Sequence, residues 1–249
     1  MIYLWAPLLL IGWLNNLSIA IIPARGGSKR IPRKNIKLFY GKPIISYAIE
    51  TALSSKIFDR VIVTTDDVEI ASISREYGAE VPALRNSDLA NDWATTLDVM
   101  QDQVKKLMNE IETETKICCI YPTTPFLEAG YLREGEIKIQ SNNWDYVIAI
   151  SRNPTPIFRA FKLDKSSKTS MVFPEHEFTR TQDLPISFHD AGQFYWGLAQ
   201  SWIEKKPIFS SNTTVVEIPR SLDIDIDVVE DWELAEKLFD YYKRRVNNG

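Results

Sequence analysis

The chain has 249 residues, 45% of them hydrophobic and 25% charged, and a formal net charge of -4. That is enough apolar material for a full core, in one large or two small domains, and no linker-like, repeated or low-complexity stretch divides it. The acidic balance and the lack of any run interleaving aromatic with basic residues argue against a nucleic-acid binder.

Met1 to Leu14 is almost wholly apolar and gives way to Asn15 and Asn16. It lacks the basic start of an export signal, and about fourteen residues fall short of the roughly twenty that span a bilayer. Residues 1–17 are therefore expected to be an appended or misassigned start outside the fold, with no stable membrane insertion. A membrane-surface anchor is the alternative.

From Ile19 an apolar run suited to a buried parallel strand breaks into Gly26 and Gly27, set among Arg25, Lys29, Arg30, Arg33 and Lys34. Glycine lets backbone amides approach phosphate oxygens, and the cations supply charge in a stretch with no acidic residue before Glu50. A nucleoside triphosphate is the expected guest. The spacings of a Walker loop and of a dinucleotide-binding loop are both absent. Of the five cations, Arg30 and Arg33 are expected to be solvated flank, as is Lys37.

Strands are predicted near Ser18 to Pro23, Arg60 to Thr65, Lys116 to Tyr121 and Asp145 to Ser151, with helices over Ile44 to Ser54, Glu69 to Tyr77 and Thr95 to Glu110. This alternation predicts an α/β fold with a mostly parallel sheet covered on both faces. Trp93, before the third helix, is expected to plug the core. Adjacent Cys118 and Cys119 point to opposite faces of a strand, so they read as core residues of a reducing cytoplasm, and neither histidine has ligand spacing with them. From Arg152 to Asp190 the helical rhythm is lost, and short extended pieces suggest an insertion.

Asp223, Asp225 and Asp227 alternate along an extended segment, which places three carboxylates on one side, where like charges call for a cation. Mg2+ takes one or two such carboxylates together with substrate phosphates. The last helix follows, with Asp227 as its expected cap, acidic residues at its start, Trp232, Ala235, Phe239 and Tyr242 on one face, and Lys243 to Arg245 at its end.

Pro-Ala-Arg-Gly-Gly-Ser-Lys-Arg-Ile-Pro-Arg-Lys-Asn from Pro23 resembles the signature of the cytidylyltransferases that activate acidic sugars, the group containing CMP-sialic acid synthetase. Further matches follow in order: Phe-Asp-Arg-Val-Ile-Val-Thr-Thr-Asp-Asp from Phe58, Gly-Ala-Glu-Val-Pro from Gly78, Pro-Thr-Thr-Pro-Phe from Pro122, and Asp225 to Trp232. The resemblance runs from about Ser18 to about Tyr242. Arg-Thr-Gln-Asp-Leu from Arg180 and His-Asp-Ala-Gly-Gln-Phe-Tyr-Trp-Gly from His189 are most similar to the branch whose sugar is pseudaminic acid.

This resemblance implies a Rossmann-like sheet of the nucleotide-diphospho-sugar transferase type, forming one domain over residues 18–249. Residues 152–190 would form a small dimerisation insertion that closes a partner's sugar site in a homodimer. It implies Mg2+-dependent transfer of CMP from CTP to a nonulosonic acid, with pyrophosphate released. Arg25 and Lys34 would contact the phosphates, Ser28 and Lys29 would lie along the triphosphate with Gly26 and Gly27, and Asn35 would lie near the nucleoside. Arg85, Asp92, Thr95 and Thr96 would wrap the cytosine, and Asp225 and Asp227, not Asp223, would hold the metal. Arg180 and Gln182 would bind the sugar's carboxylate and hydroxyls, with Tyr121, Tyr195 and Phe209 around the ring.

The departures bear on the sugar. Tyr121 stands where sialic acid enzymes carry a sugar-contacting Gln, Ala191 where they carry Asn, and His189 where they carry Arg. Lost polar partners favour a less hydroxylated sugar, pseudaminic acid, over N-acetylneuraminic, legionaminic or deoxy-octulosonic acid. A core role for Tyr121 is the competing reading. A catalytically silent nucleotide-binding protein is the other alternative, and intact Arg25, Lys34, Asp225 and Asp227 argue against it.

Overall fold

The computed structural model describes residues 17–91, 93–141 and 143–247, so the apolar start 1–16 and Asp92 lie outside the described residues. In chain order the elements are β1 (Ser18–Pro23), β2 (Leu38–Phe39), β3 (Lys42–Pro43), α1 (Ile45–Ser55), β4 (Arg60–Thr64), α2 (Val68–Glu76), α3 (Thr96–Leu107), β5 (Lys116–Ile120) and α4 (Ala129–Ser141). There follow β6 (Tyr146–Arg152), β7 (Phe161–Leu163), β8 (Thr169–Met171), β9 (Phe188–Leu198), α5 (Ala199–Ile203), β10 (Thr213–Ile218) and α6 (Val229–Asn247). One six-stranded sheet runs in the order β10-β6-β9-β5-β1-β4. Every neighbouring pair is parallel except those made by β9, which runs antiparallel between β5 and β6. The mostly parallel sheet with helices on both faces is the fold the sequence predicts.

Burial on both faces explains why the central strands are unbroken apolar runs. Ala20 and Ile22 of β1 face a core shared with α1, α2, α4 and α6, while Ile19 and Ile21 face a second core shared with α3 and α5. Cys118 and Cys119 divide between the same two cores, as expected, and are free thiols. Burial pushes both thiols up, which suits packing rather than reactivity.

Besides the short β2, β3 and α5, three longer elements are not predicted from the sequence. In α4, Gly130 and Gly135 weaken the helical pattern, yet a Cβ at Gly135 would lie 2.5 Å from Trp196 Cδ1, so the close packing of helix on sheet excludes a side chain there. The β9 sequence mixes Asp190, two glycines and Gln193 into its run and carries a register shift opposite Ile148 and Ile150. At the sheet edge, β10 is half exposed and lacks a continuous apolar run.

Two expectations fail locally. Trp93 does not plug the core but is 89% exposed. Nor does Asp227 supply the start of α6: the Asp231 carboxylate accepts from the Asp227 and Val228 amides at 2.9 and 2.8 Å, leaving the Asp227 side chain free for the cleft described below. On the expected face of α6, Trp232, Ala235 and Phe239 are buried and Tyr242 donates to Glu128 at 3.0 Å. The excursion after β6 leaves at Arg152 and returns at Phe188, which pair across β6 and β9. Between them the β7–β8 hairpin leaves Phe161 and Leu163 exposed. Among the described residues no helix is long and apolar enough to cross a membrane.

Candidate active site

Parallel strands deliver their following loops to one edge, and in open α/β sheets that edge is where crevices form. Here a cleft of about 300 Å³ opens past the ends of β1, β5 and β10. Arg25, Ser28, Lys29, Lys34 and Asn35 line it after β1, Arg85, Thr95 and Thr96 ahead of and at the start of α3, Tyr121 after β5, and Asp227 after β10. Ten of the residues expected from the sequence thus meet in one cavity.

The first loop is held from below. Buried Asn35 donates to the Arg25 carbonyl at 2.9 Å, so it braces the loop as well as facing the cleft. The Gly26 amide donates to Asp66 Oδ1 at 3.0 Å, and a Cβ there would meet Asp67 Oδ2 at 2.7 Å. Gly26 is thus required where the loop runs against the turn into α2, with its amide already bonded, while Gly27 is exposed with open space around it. Arg33, at φ 57, grips Asp67 and Glu69, and this contact holds the Asp67 carboxyl below its usual range. Expected to be flank, Arg33 instead clamps the loop to α2. Lys37 lies 4.3 Å over the Trp232 ring.

Opposite charges meet where the loop after β1 and the segment before α6 converge. Lys34 Nζ donates to the Ile226 carbonyl at 2.6 Å and stands 3.5 Å from Asp227 Oδ1. Arg30, also expected to be flank, pairs with the same oxygen at 2.9 Å and lines the cleft. The Asp225 carboxyl is raised above the usual carboxylate range, chiefly by lost solvation and then by the charge on Asp227, although the residue as a whole is exposed. Asp223 turns elsewhere and pairs with His189 Nε2 at 2.8 Å. Of the three carboxylates, Asp227 alone lines the cleft, while Asp225 is exposed next to it and feels its charge.

Arg85 is buried and 3.7 Å from Asp66, and its Nε has no hydrogen-bond partner among the described residues. Burial lowers its pKa, with Asp66 opposing. An unpaired buried donor costs about 1–3 kcal/mol, which an acceptor on a bound ligand would recover. Thr95 and Asp98 close a reciprocal capping box at the start of α3, which fixes Thr95 and Thr96 at the cleft wall. Tyr121 meets Thr96 hydroxyl to hydroxyl at 2.8 Å and packs edge-on against Tyr195, with ring centroids 5.6 Å apart. Its place is the cleft wall, and burial raises its phenol to about 12.

The expected sugar residues are not all brought together. Tyr195 is buried behind Tyr121, and its hydroxyl donates to Asp190, a residue the sequence reading passed over. Arg180 lies on the excursion, where it pairs with Asp183 at 2.8 Å, and Gln182 is exposed beside it. Phe209 precedes β10 and is 71% exposed at the opposite edge of the sheet, one strand length from the cleft. It is therefore withdrawn from the sugar pocket of its own chain.

The sheet order, the strand-end cleft, and the cations around Asp227 suit a nucleotidyltransferase. CMP:2-keto-3-deoxy-manno-octonic acid synthetase, solved with CTP, has the same fold: the TM-score is 0.69 over 91% of this chain and 99% of that one, at 15% identity. A family model described as Cytidylyltransferase matches residues 19–246, and the chain belongs to that family of CTP-dependent enzymes. It is 41% identical over 222 residues to the pseudaminic acid cytidylyltransferase of Campylobacter jejuni, covering 89% of this chain and 96% of that one. The CMP-N,N'-diacetyllegionaminic acid synthase of Legionella pneumophila is 33% identical over 229 residues, with the same two coverages.

Proposed function

We propose that this chain joins CMP from CTP to the anomeric hydroxyl of pseudaminic acid, a nonulosonic acid, with release of pyrophosphate and dependence on Mg2+. The observation that carries the reading is the meeting of Arg30 and Lys34 with Asp227 across one cleft, in a chain of the cytidylyltransferase family. Transfer forms a bond from the sugar oxygen to the α-phosphorus and breaks the bond from that phosphorus to pyrophosphate, with no covalent enzyme intermediate. Arg25 and Lys34 hold the phosphates and oppose the charge that builds on the leaving group. Arg85, Thr95 and Thr96 hold the cytosine.

Asp225 and Asp227 suit a divalent cation: lost solvation and then the charge on Asp227 raise the Asp225 carboxyl, and a cation beside the pair would offset both. When bound, Mg2+ neutralises phosphate charge. Pseudaminic acid is favoured because Tyr121, His189 and Ala191 offer few partners to an extended hydroxylated side chain: Tyr121 is engaged with Thr96, His189 with Asp223, and Ala191 is buried. The similarity to the Campylobacter jejuni enzyme supports the same choice.

The working unit is proposed to be a cytoplasmic homodimer. Phe161, Leu163, Phe178 and Ile186 of the excursion expose apolar surface suited to a second copy, and Arg180 and Gln182, carried on it, would then serve the partner's sugar. Purified protein incubated with CTP, Mg2+ and a panel of nonulosonic acids, with pyrophosphate as the readout, tests the whole. Release with none of the sugars would refute it.

A further inference from the structure

Two walls of the cleft are tied to the end of β4. The Ala24 amide, from the loop after β1, donates to the Thr64 carbonyl at 3.0 Å, and the Arg85 amide donates to the Thr65 carbonyl at 2.7 Å. Asp66, the next residue, serves both segments with a single oxygen. Its Oδ1 accepts from the Gly26 amide at 3.0 Å and lies 3.7 Å from Arg85 Nη2, an ion pair rather than a hydrogen bond. Arg85 is buried, and among the described residues Asp66 is the one carboxylate that pairs with it. Arg25, which precedes Gly26, and Arg85 both line the cleft, whereas Asp66 stands behind them and does not.

The two contacts differ in kind. The Gly26 amide needs only an acceptor, which a neutral amide oxygen also provides. A buried guanidinium has lost solvation and needs a negative charge beside it. We propose that Asp66 is a positioning residue that ties the loop after β1 to Arg85, and so sets the cations that hold the triphosphate in register with the side chain that holds the base. It acts through Gly26 and Arg85 without touching the nucleotide. This deepens the proposed function and rests on it for what each end of the cleft binds.

Two substitutions separate the contacts. Asp66→Asn keeps an oxygen for Gly26 but removes the charge opposite Arg85, while Asp66→Ala removes both. Calorimetric titrations with CTP and with inorganic triphosphate, in Mg2+ and without sugar, read the whole cleft and its phosphate end. In Asp66→Asn the Kd for CTP should rise about tenfold, with that for triphosphate within about twofold of wild type. In Asp66→Ala both should rise, that for triphosphate by about fivefold or more. Asp66→Asn added to Arg85→Gln should weaken CTP no further than Arg85→Gln alone, because the charge it removes has already lost its partner. Unchanged CTP affinity in Asp66→Asn, equal losses of both ligands there, or additive losses in the double variant would overturn the proposal. A merely structural defect would weaken both ligands together.

A second measurement needs no ligand. Hydrogen exchange of the assigned Gly26 amide should be alike in the wild type and Asp66→Asn, and about tenfold faster or more in Asp66→Ala. An unchanged rate in Asp66→Ala overturns the tie to the loop. Failure of the wild type to bind CTP, with the Gly26 result as expected, would instead refute the proposed function and leave the tie in place.

Discussion

Lys34 stands 3.5 Å from Asp227, and the two are separated by 193 positions in sequence. That contact joins the first loop of the sheet to the segment that enters its last helix, and it brings the cations proposed to hold phosphate to the carboxylates proposed to hold metal. Neither residue belongs to a regular strand. Each is set by its surroundings: Lys34 by the short helical turn at Lys34–Ile36, and Asp227 by the Asp231 carboxylate that holds its amide.

Removing the charge at Lys34 or Arg25 should lower kcat roughly 10²-fold or more, the scale for loss of a preorganised charge stabiliser. Arg33→Ala should instead leave kcat within about threefold and lower thermal stability slightly, because its guanidinium grips Asp67 and Glu69 at a partly exposed site. Steady-state kinetics beside thermal melts separate the two roles. Equal small losses in all three would make the loop a diffuse electrostatic funnel.

Asp225→Ala and Asp227→Ala should each abolish Mg2+-supported turnover, while Asp223→Ala, whose carboxylate is committed to His189, should be much milder. Melting in EDTA and in Mg2+ with CTP gives a second readout. Added Mg2+ should raise the Tm of the wild type and leave that of the Asp225 and Asp227 variants unchanged. Near wild-type rates in both variants would remove the metal assignment.

The capping box of α3 should show in acid. Asp98 is held at about 2 by the Lys205 ammonium and then by the Thr95 hydroxyl and amide, against an ordinary value near 3.8. A depressed folded value means that its stabilisation is present above pH 4 and is lost as pH falls towards 2. Asp98→Ala should therefore cost on the order of 1 kcal/mol at neutral pH. In urea melts the gap from wild type should close between about pH 4 and pH 2. A constant gap would mean the effect is not electrostatic.

Trp93→Ala distinguishes a buried from an exposed ring by magnitude. Emptying a core site of this size costs about 3–5 kcal/mol, while an exposed change stays within about 0.5 kcal/mol. With Trp93 89% exposed, the second figure is expected in chemical denaturation.

Much of the fold was legible because physical constraints left few alternatives. The continuous apolar runs of β1, β4 and β5 are what a strand buried on both faces requires, and their predicted limits fall within one residue of those observed. The cations after β1 stand at the cleft as expected, whereas Gly26 has a different use from the expected one, packing against Asp67 with its amide on Asp66. What escaped depends on tertiary partners. Asp190 and Gln193 inside β9 look like loop residues until Tyr195 and the Leu222 carbonyl receive them. Arg30 looks like surface charge until the distant Asp227 arrives beside it. Trp93 is expected in the core, and no local pattern signals its exposure.

The most direct test of the central claim is competition between pseudaminic and N-acetylneuraminic acid for limiting enzyme with CTP and Mg2+, following pyrophosphate and both CMP-sugars. Each hydroxyl left unpaired on burial costs about 1–3 kcal/mol, so a site lacking partners for a longer hydroxylated chain should strongly disfavour that sugar. The account predicts a kcat/KM for pseudaminic acid at least two orders of magnitude higher. Equal consumption, or preference for N-acetylneuraminic acid, would contradict the sugar assignment, and pyrophosphate release with neither sugar would contradict the proposed transfer itself.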